Sequence, residues 1–148
     1  MKEIQENIKK FLNANRVASV CFNNDKDEPY CISCFFVYNE EQDTLIFKSS
    51  FGSSHDKVVQ TTALVAGTVL PEKFDILKIR GIQFTGQILQ ANHPHVLAHT
   101  SMYYKKYPAG LVMPGYIWTV KLQYIKFTDN TLGFGNKTIW QANSQPAK

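Results

Sequence analysis

The sequence predicts a mainly β fold, a small antiparallel barrel, and three observations support that expectation. At least six stretches of strand length follow one another along the chain, the links between the first of them are short and polar, and the strand–helix–strand alternation that builds a parallel sheet is missing. The 148 residues suit one domain, 1–148. A chain of that size buries roughly 70% of the surface it exposes when unfolded, enough for one core.

The elements follow in order. Residues 2–14 place Ile4, Ile8, Phe11 and Leu12 on one stripe, the pattern of an amphipathic helix. From Arg16 the texture turns β-like: Val17, Val20, Cys21 and Phe22 make a short strand that ends in the turn-rich Asn23-Asn24-Asp25-Lys26-Asp27. A second strand runs from about Tyr30 to Tyr38, Asn39 to Asp43 forms a turn, and Thr44 to Lys48 is a third strand. A short helix is expected over about 55–62, with Ser53 or Ser54 as its N-cap. Ala63 to Leu70 reads as a buried strand stopped by Pro71. Ile76 to Ala91 reads as a long strand in which Gly81 and Gly86 mark a bulge or a bend. Pro94 opens a third helix, 94–107, closed by Pro108. Tyr116 to Thr128 alternates as the last long strand, the apolar tail 131–140 docks, and 141–148 is expected to fray.

Composition narrows the function classes. Apolar residues make up 44% and charged residues 19%, an ordinary globular balance, and the net charge of +4 is too diffuse to argue for nucleic acid. It suits an anionic small ligand. No stretch approaches the roughly 18 apolar residues of a membrane span, and Met1 to Asn7 contains no signal-peptide run. Three cysteines cannot all pair with one another. A cytoplasmic protein with reduced thiols is the expectation.

The segment Leu45-Ile46-Phe47-Lys48-Ser49-Ser50-Phe51-Gly52-Ser53-Ser54-His55 carries a resemblance. With the strand Val65-Ala66-Gly67-Thr68-Val69, the glycine-bearing Arg80 to Gly86 and the ending Ile125 to Trp140, it resembles the pyridoxamine-phosphate-oxidase-like split-barrel superfamily, and within it the YhbP-like branch. The similarity runs from about residue 8 to 140. It implies a six-stranded antiparallel split barrel of Greek-key type that binds flavin mononucleotide (FMN) between the two subunits of a homodimer. By position, the flavin ring would lie on Ser33, Cys34, Phe35 and Phe36. The phosphate and ribityl contacts would fall on Lys48, Ser49, Ser53, Ser54 and His55, with Gln83 and Lys137 closing the site. The physics is compatible: a helix start offers free amide donors and a positive dipole end, and hydroxyls and cations complete a charge-assisted cradle.

Two departures from the superfamily pattern are visible. Ser54-His55 stands where the oxidases carry an Arg-Lys pair, so two permanent charges become a hydroxyl and a titratable ring. The Arg-x-His cluster of the pyridoxamine-phosphate oxidases is replaced by Gly133-Phe134-Gly135-Asn136, which argues against a vitamin-phosphate substrate.

Other constellations read more simply. Cys31-Ile32-Ser33-Cys34 is a C-x-x-C inside a strand, where residues three apart point to opposite faces, so it is neither a redox pair nor a metal site. His95 and His99, with His93 nearby, read as a polar helix face rather than a zinc site. Tyr103-Tyr104-Lys105-Lys106-Tyr107 reads as lysines at a helix C-terminus beside core tyrosines. Gly133-Phe134-Gly135 is a tight turn, too near the chain end to open a dinucleotide fold. No residue is assignable as an acid or base. Two functions stand open: a flavin-dependent oxidoreductase acting on a small molecule, in which the cofactor supplies the chemistry, and a non-catalytic barrel holding flavin, heme or a deazaflavin as carrier or sensor. Neither nucleic acid nor a membrane is an expected partner.

Overall fold

The structure, a computed structural model, describes residues 2–50, 57–90, 92–133 and 135–142. Helix α1 (Glu6–Ala14) leads into β1 (Val17–Asn23), β2 (Pro29–Asn39) and β3 (Thr44–Ser50). After β4 (Leu64–Val69) and β5 (Arg80–Ile88) come α2 (Pro94–Lys106), a 3-10 turn over Pro108–Val112, β6 (Gly115–Asp129) and β7 (Lys137–Gln141). The strands hydrogen-bond in the order β3-β2-β1-β4-β5-β6, and β6 returns to β3, closing a six-stranded antiparallel barrel. Closure leaves the barrel no free edge among these six at its waist.

The long β6 makes the closure possible. Along one edge its residues Val120–Asp129 pair with β5. Along the other edge Gly115–Lys121 pair with β3 and Tyr124–Thr128 pair with β7, so two strands follow each other on one side of a third. The tail therefore docks as an extra strand, with Trp140 buried and its indole N–H donating to the Lys2 carbonyl at 2.8 Å.

Period-two alternation fills the barrel. Val20, Phe22, Phe36, Phe47, Val65, Val69, Phe84, Trp118 and Phe127 point inward, and α1 adds Ile8, Phe11 and Leu12 to the same core. A second, smaller core lies outside the barrel, where α2 covers β2 and β3: Tyr103 packs on Val37 and Ile46. This is why Phe36 to Asn39 are all buried, since both faces of the strand are covered. The register of β5 against β6 shifts between Thr85 and Gly86, the bulge that the glycine there suggested.

Two expectations need correction. The helix expected over 55–62 is, among the described residues, only the 3-10 turn Val58–Gln60, held by two buried valines. The strand expected from Ile76 begins at Arg80, because residues 71–79 form a loop that leaves Phe74, Ile76 and Leu77 exposed. The polar face of α2 that bears His99 is turned inward. His99 is wholly buried: Nδ1 bonds Thr119 Oγ1 at 3.0 Å, and Nε2 meets Asn39 Nδ2 and Gln42 Oε1, each at 3.1 Å. The imidazole pins α2 to β2, β6 and the β2–β3 turn at once.

No helix among the described residues is long and apolar enough to cross a membrane.

Candidate cofactor site

A row of small and polar side chains crosses the outward face of the β2-β1-β4-β5 sheet. Ser33, Ser19, Thr68 and Gln83 are successive partners across these four strands and form one continuous row. At its β2 end the sheet meets the C-terminal end of α2 and the 3-10 turn that follows, and between them lies a cavity of about 640 Å³. That volume is within the roughly 300–1,000 Å³ of small-molecule and cofactor sites.

Each wall has a local cause. On the sheet side, alternation sends Ser33 and Phe35 outward from β2 and Lys48 and Ser50 outward from β3. Tyr107, the residue after α2, stands against Phe35 with ring centroids 5.5 Å apart, so two aromatic rings form one wall. Its hydroxyl donates to the Phe36 carbonyl at 2.6 Å. Burial, then the neighbouring Tyr103, push this phenol up to about 12, which keeps it a neutral donor. Met113 and Pro114 complete the rim.

The electrostatics favour an anion. Arg16, Lys48 and Lys106 all reach the cavity. Arg16 is clamped by Glu72 through two contacts, Nε to Oε1 at 2.7 Å and Nη2 to Oε2 at 3.1 Å, and the guanidinium holds the Glu72 carboxyl below its usual range. The Lys48 ammonium donates to the carbonyl oxygens of Gly110 (2.6 Å) and Met113 and lies over the Tyr104 ring, 4.7 Å from its centroid. It therefore ties the 3-10 turn to β3. Lys106 stands over the Tyr107 ring at 5.6 Å, and partial burial followed by repulsion from Arg16 lowers its ammonium from the usual value. An anion beside Arg16 and Lys106 would relieve their mutual repulsion.

The residues expected from the sequence divide into four groups. Ser33, Phe35 and Lys48 line the cavity together, and Cys34 borders it from a strand position whose side chain faces the core. Phe36 and Ser49 do not present side chains to it, which corrects the expectation: consecutive strand residues alternate, so Phe36 fills the barrel and the Ser49 hydroxyl accepts from the buried Trp118 Nε1 at 2.7 Å. Gln83 and Lys137 are exposed but stand apart from the cavity in one chain. Gln83 lies three strand spacings along the row from Ser33, roughly 14 Å. Ser53, Ser54 and His55 lie outside the described residues. Sequence reasoning missed Arg16, Ser50, Lys106 and Tyr107. The signal for the last two was the tyrosine–lysine cluster itself, of which Tyr103 alone is core.

Cys34 faces inward against the main core, and burial, then the charge of Cys31, push its thiol up to about 12. It serves as packing under the strand that carries Ser33 and Phe35.

No family model matches the sequence. Among curated proteins, the chain is 35% identical over 133 residues to a UPF0306 protein of Cronobacter sakazakii, an alignment covering 90% of this chain and 92% of the relative. The chain belongs to the UPF0306 family. A UPF0306 protein YhbP of Salmonella newport is 31% identical over 138 residues, 93% of each chain. Solved structures share the barrel of this UPF0306 protein at much lower identity. A heme binding protein from Mycobacterium smegmatis matches with a TM-score of 0.73 and 9% identity, covering 95% of this chain and 60% of that one. A Clostridium acetobutylicum protein related to general stress protein 26, of the pyridoxinephosphate oxidase family, matches with a TM-score of 0.61 and 10% identity, covering 92% of each. The fold is thus that of the split-barrel, pyridoxamine-phosphate-oxidase-like proteins.

Proposed function

We propose that this UPF0306 protein binds FMN in the cavity between β2, β3 and the end of α2, and works as a homodimeric flavin-dependent oxidoreductase on a small molecule. The observation that carries this reading is the combination in one cavity of an aromatic wall, Phe35 and Tyr107, with the cations Arg16, Lys48 and Lys106. A planar ring system with an anionic tail needs both. Ser33 and Phe35 would flank the ring. Lys106 and Arg16 would meet the phosphate, with Lys48 and the Ser53-Ser54-His55 segment that the resemblance assigns to it. When bound, the flavin supplies one- or two-electron chemistry, and the chain's own part is to bind it, orient it and exclude water.

The dimer enters because the cavity opens onto exposed apolar surface. Val17, Leu70, Phe74, Ile76, Leu77 and Ile79 are all solvent-exposed, and Phe35 and Arg16 belong both to the cofactor cavity and to the groove that Val17, Leu70 and Phe74 line. Contiguous apolar surface of this kind marks an association site. A second copy seated there would cover the ring and bring its own Gln83 and Lys137 to the rim.

Heme is the second reading, favoured by the likeness to the Mycobacterium smegmatis heme binding protein; its propionates would use the same cations. Saturating the purified protein with FMN, or separately with hemin, and removing unbound ligand separates the two. Retained flavin absorbance with quenched fluorescence supports the first reading. A retained Soret band alone supports the second, and retention of neither removes both.

A further inference from the structure

We propose that Cys21 and Cys31 form a reversible two-electron dithiol–disulfide site on the outer face of the barrel, independent of whichever cofactor the cavity holds. The two residues are directly opposite each other on the antiparallel strands β1 and β2, both are exposed, and both are free thiols. The hydrogen-bonding phase of the pair decides the geometry. Asn24 N–H donates to the Glu28 carbonyl at 2.8 Å, and Phe36 N–H donates to the Arg16 carbonyl at 2.9 Å. Hydrogen-bonded and non-hydrogen-bonded pairs alternate along an antiparallel ladder, so the even-numbered residues of β1 occupy the bonded sites and Cys21 with Cys31 occupies a non-bonded one. There the Cα atoms approach to about 4.5 Å and the side chains are nearest, at the lower end of the roughly 4.4–6.8 Å that disulfides span.

The thiols already interact. The Cys31 thiol opposite, followed by partial burial, pushes the Cys21 thiol up to about 11. Access is open on both sides. Ala66 is the β4 partner of Cys21 and offers only a methyl group. On the other flank β3 pairs with β2 only at Phe36–Asn39, so Cys31 lies where β2 has no strand beyond it among the described residues. The C-x-x-C spacing is a distraction: Cys34 points into the core, and the partner of Cys31 is ten positions upstream on the neighbouring strand.

The oxidant is a low-molecular-weight disulfide of the glutathione class. One cysteine thiolate attacks a sulfur of that disulfide, its S–S bond breaks, and one small thiolate leaves and takes up the proton. The second cysteine thiolate then attacks the protein-side sulfur of the mixed disulfide and expels the second small thiol. Two protein thiols are oxidised to one disulfide, and one small disulfide is reduced to two thiols.

The test is equilibration of the full chain with oxidised glutathione, followed by alkylation of the remaining thiols, intact mass and non-reducing peptide mapping. The wild type is expected to lose two alkylatable thiols and the mass of two hydrogen atoms, to yield a peptide joining residues 21 and 31, and to recover both thiols on treatment with dithiothreitol. Cys31→Ser is expected to stop at one glutathione adduct on Cys21, and Cys21→Ser at one on Cys31. A wild type that keeps all three thiols alkylatable, one that accumulates glutathione on both cysteines without closing the ring, or a bond that joins only two different chains would overturn the proposal.

Discussion

Ser49 and Lys48 are neighbours in sequence and part company in space, and that one step of a strand decides what each can do. Lys48 faces the cavity and braces the turn after α2, whereas Ser49 turns inward to accept from Trp118. The sequence made the strand legible, but it did not reveal which of two adjacent residues faced outward, because β3 is buried on both faces. Arg16 was illegible for a different reason: it reaches the cavity through tertiary placement just before β1, which no local pattern encodes, whereas Lys106 stood in a visible tyrosine–lysine cluster whose place beside β2 and β3 only the packing of α2 reveals. Two expectations belong at this scale. Lys106→Ala removes a charge-assisted contact worth about 1.5–3 kcal/mol, so FMN affinity should fall by roughly ten- to a hundred-fold while riboflavin, which lacks the phosphate, should be little affected; fluorescence titration measures both. Glu72 would compete with a bound phosphate for Arg16. Its carboxyl sits below the usual value of 4.5, so the clamp is complete above that value and is lost as pH falls through the lowered one. Glu72→Gln breaks the charge pairing at neutral pH, and a few-fold gain in FMN affinity at neutral pH, with no gain for riboflavin, is the expected result.

At the scale of elements, the strands were readable wherever alternation was clean, and the bulge at Gly86 was readable because glycine is the residue a crowded crossing needs. A Cβ on Gly67 would collide with the Phe84 ring and the Ser19 carbonyl. Gly67→Ala should therefore cost about 1–3 kcal/mol, seen as a lower urea midpoint with an unchanged slope. Residues 76–79 of the loop were read as strand because Ile76, Leu77 and Ile79 look like buried residues, and what makes them loop is the lack of a neighbouring strand among the described residues. Helix α2 depends on a buried polar group that its sequence did not disclose. His99→Leu strands Asn39 and Thr119 without their partner; each unsatisfied buried group costs about 1–3 kcal/mol, and amide exchange in α2 should rise along with the loss of global stability.

For the molecule as a whole, the barrel was legible because closure needs only six strands in the right order, and the chain order encodes them. The proposed dimer comes from the family resemblance alone, and what supports it physically is the exposed apolar loop beside the cavity. Phe74→Asp with Leu77→Asp should convert a dimer into a monomer of 16.9 kDa in sedimentation, with the barrel's circular dichroism unchanged. The cavity between β2, β3 and α2 is proposed to hold a flavin by its phosphate. The most direct test is a fluorescence titration of FMN against riboflavin, run in parallel on the wild type and on Lys106→Ala. The wild type is expected to bind FMN at least ten-fold more tightly than riboflavin, in line with one charge-assisted contact, and the preference is expected to collapse in the variant. Equal affinity of the wild type for the two flavins, or a preference that survives in the variant undiminished, would contradict it.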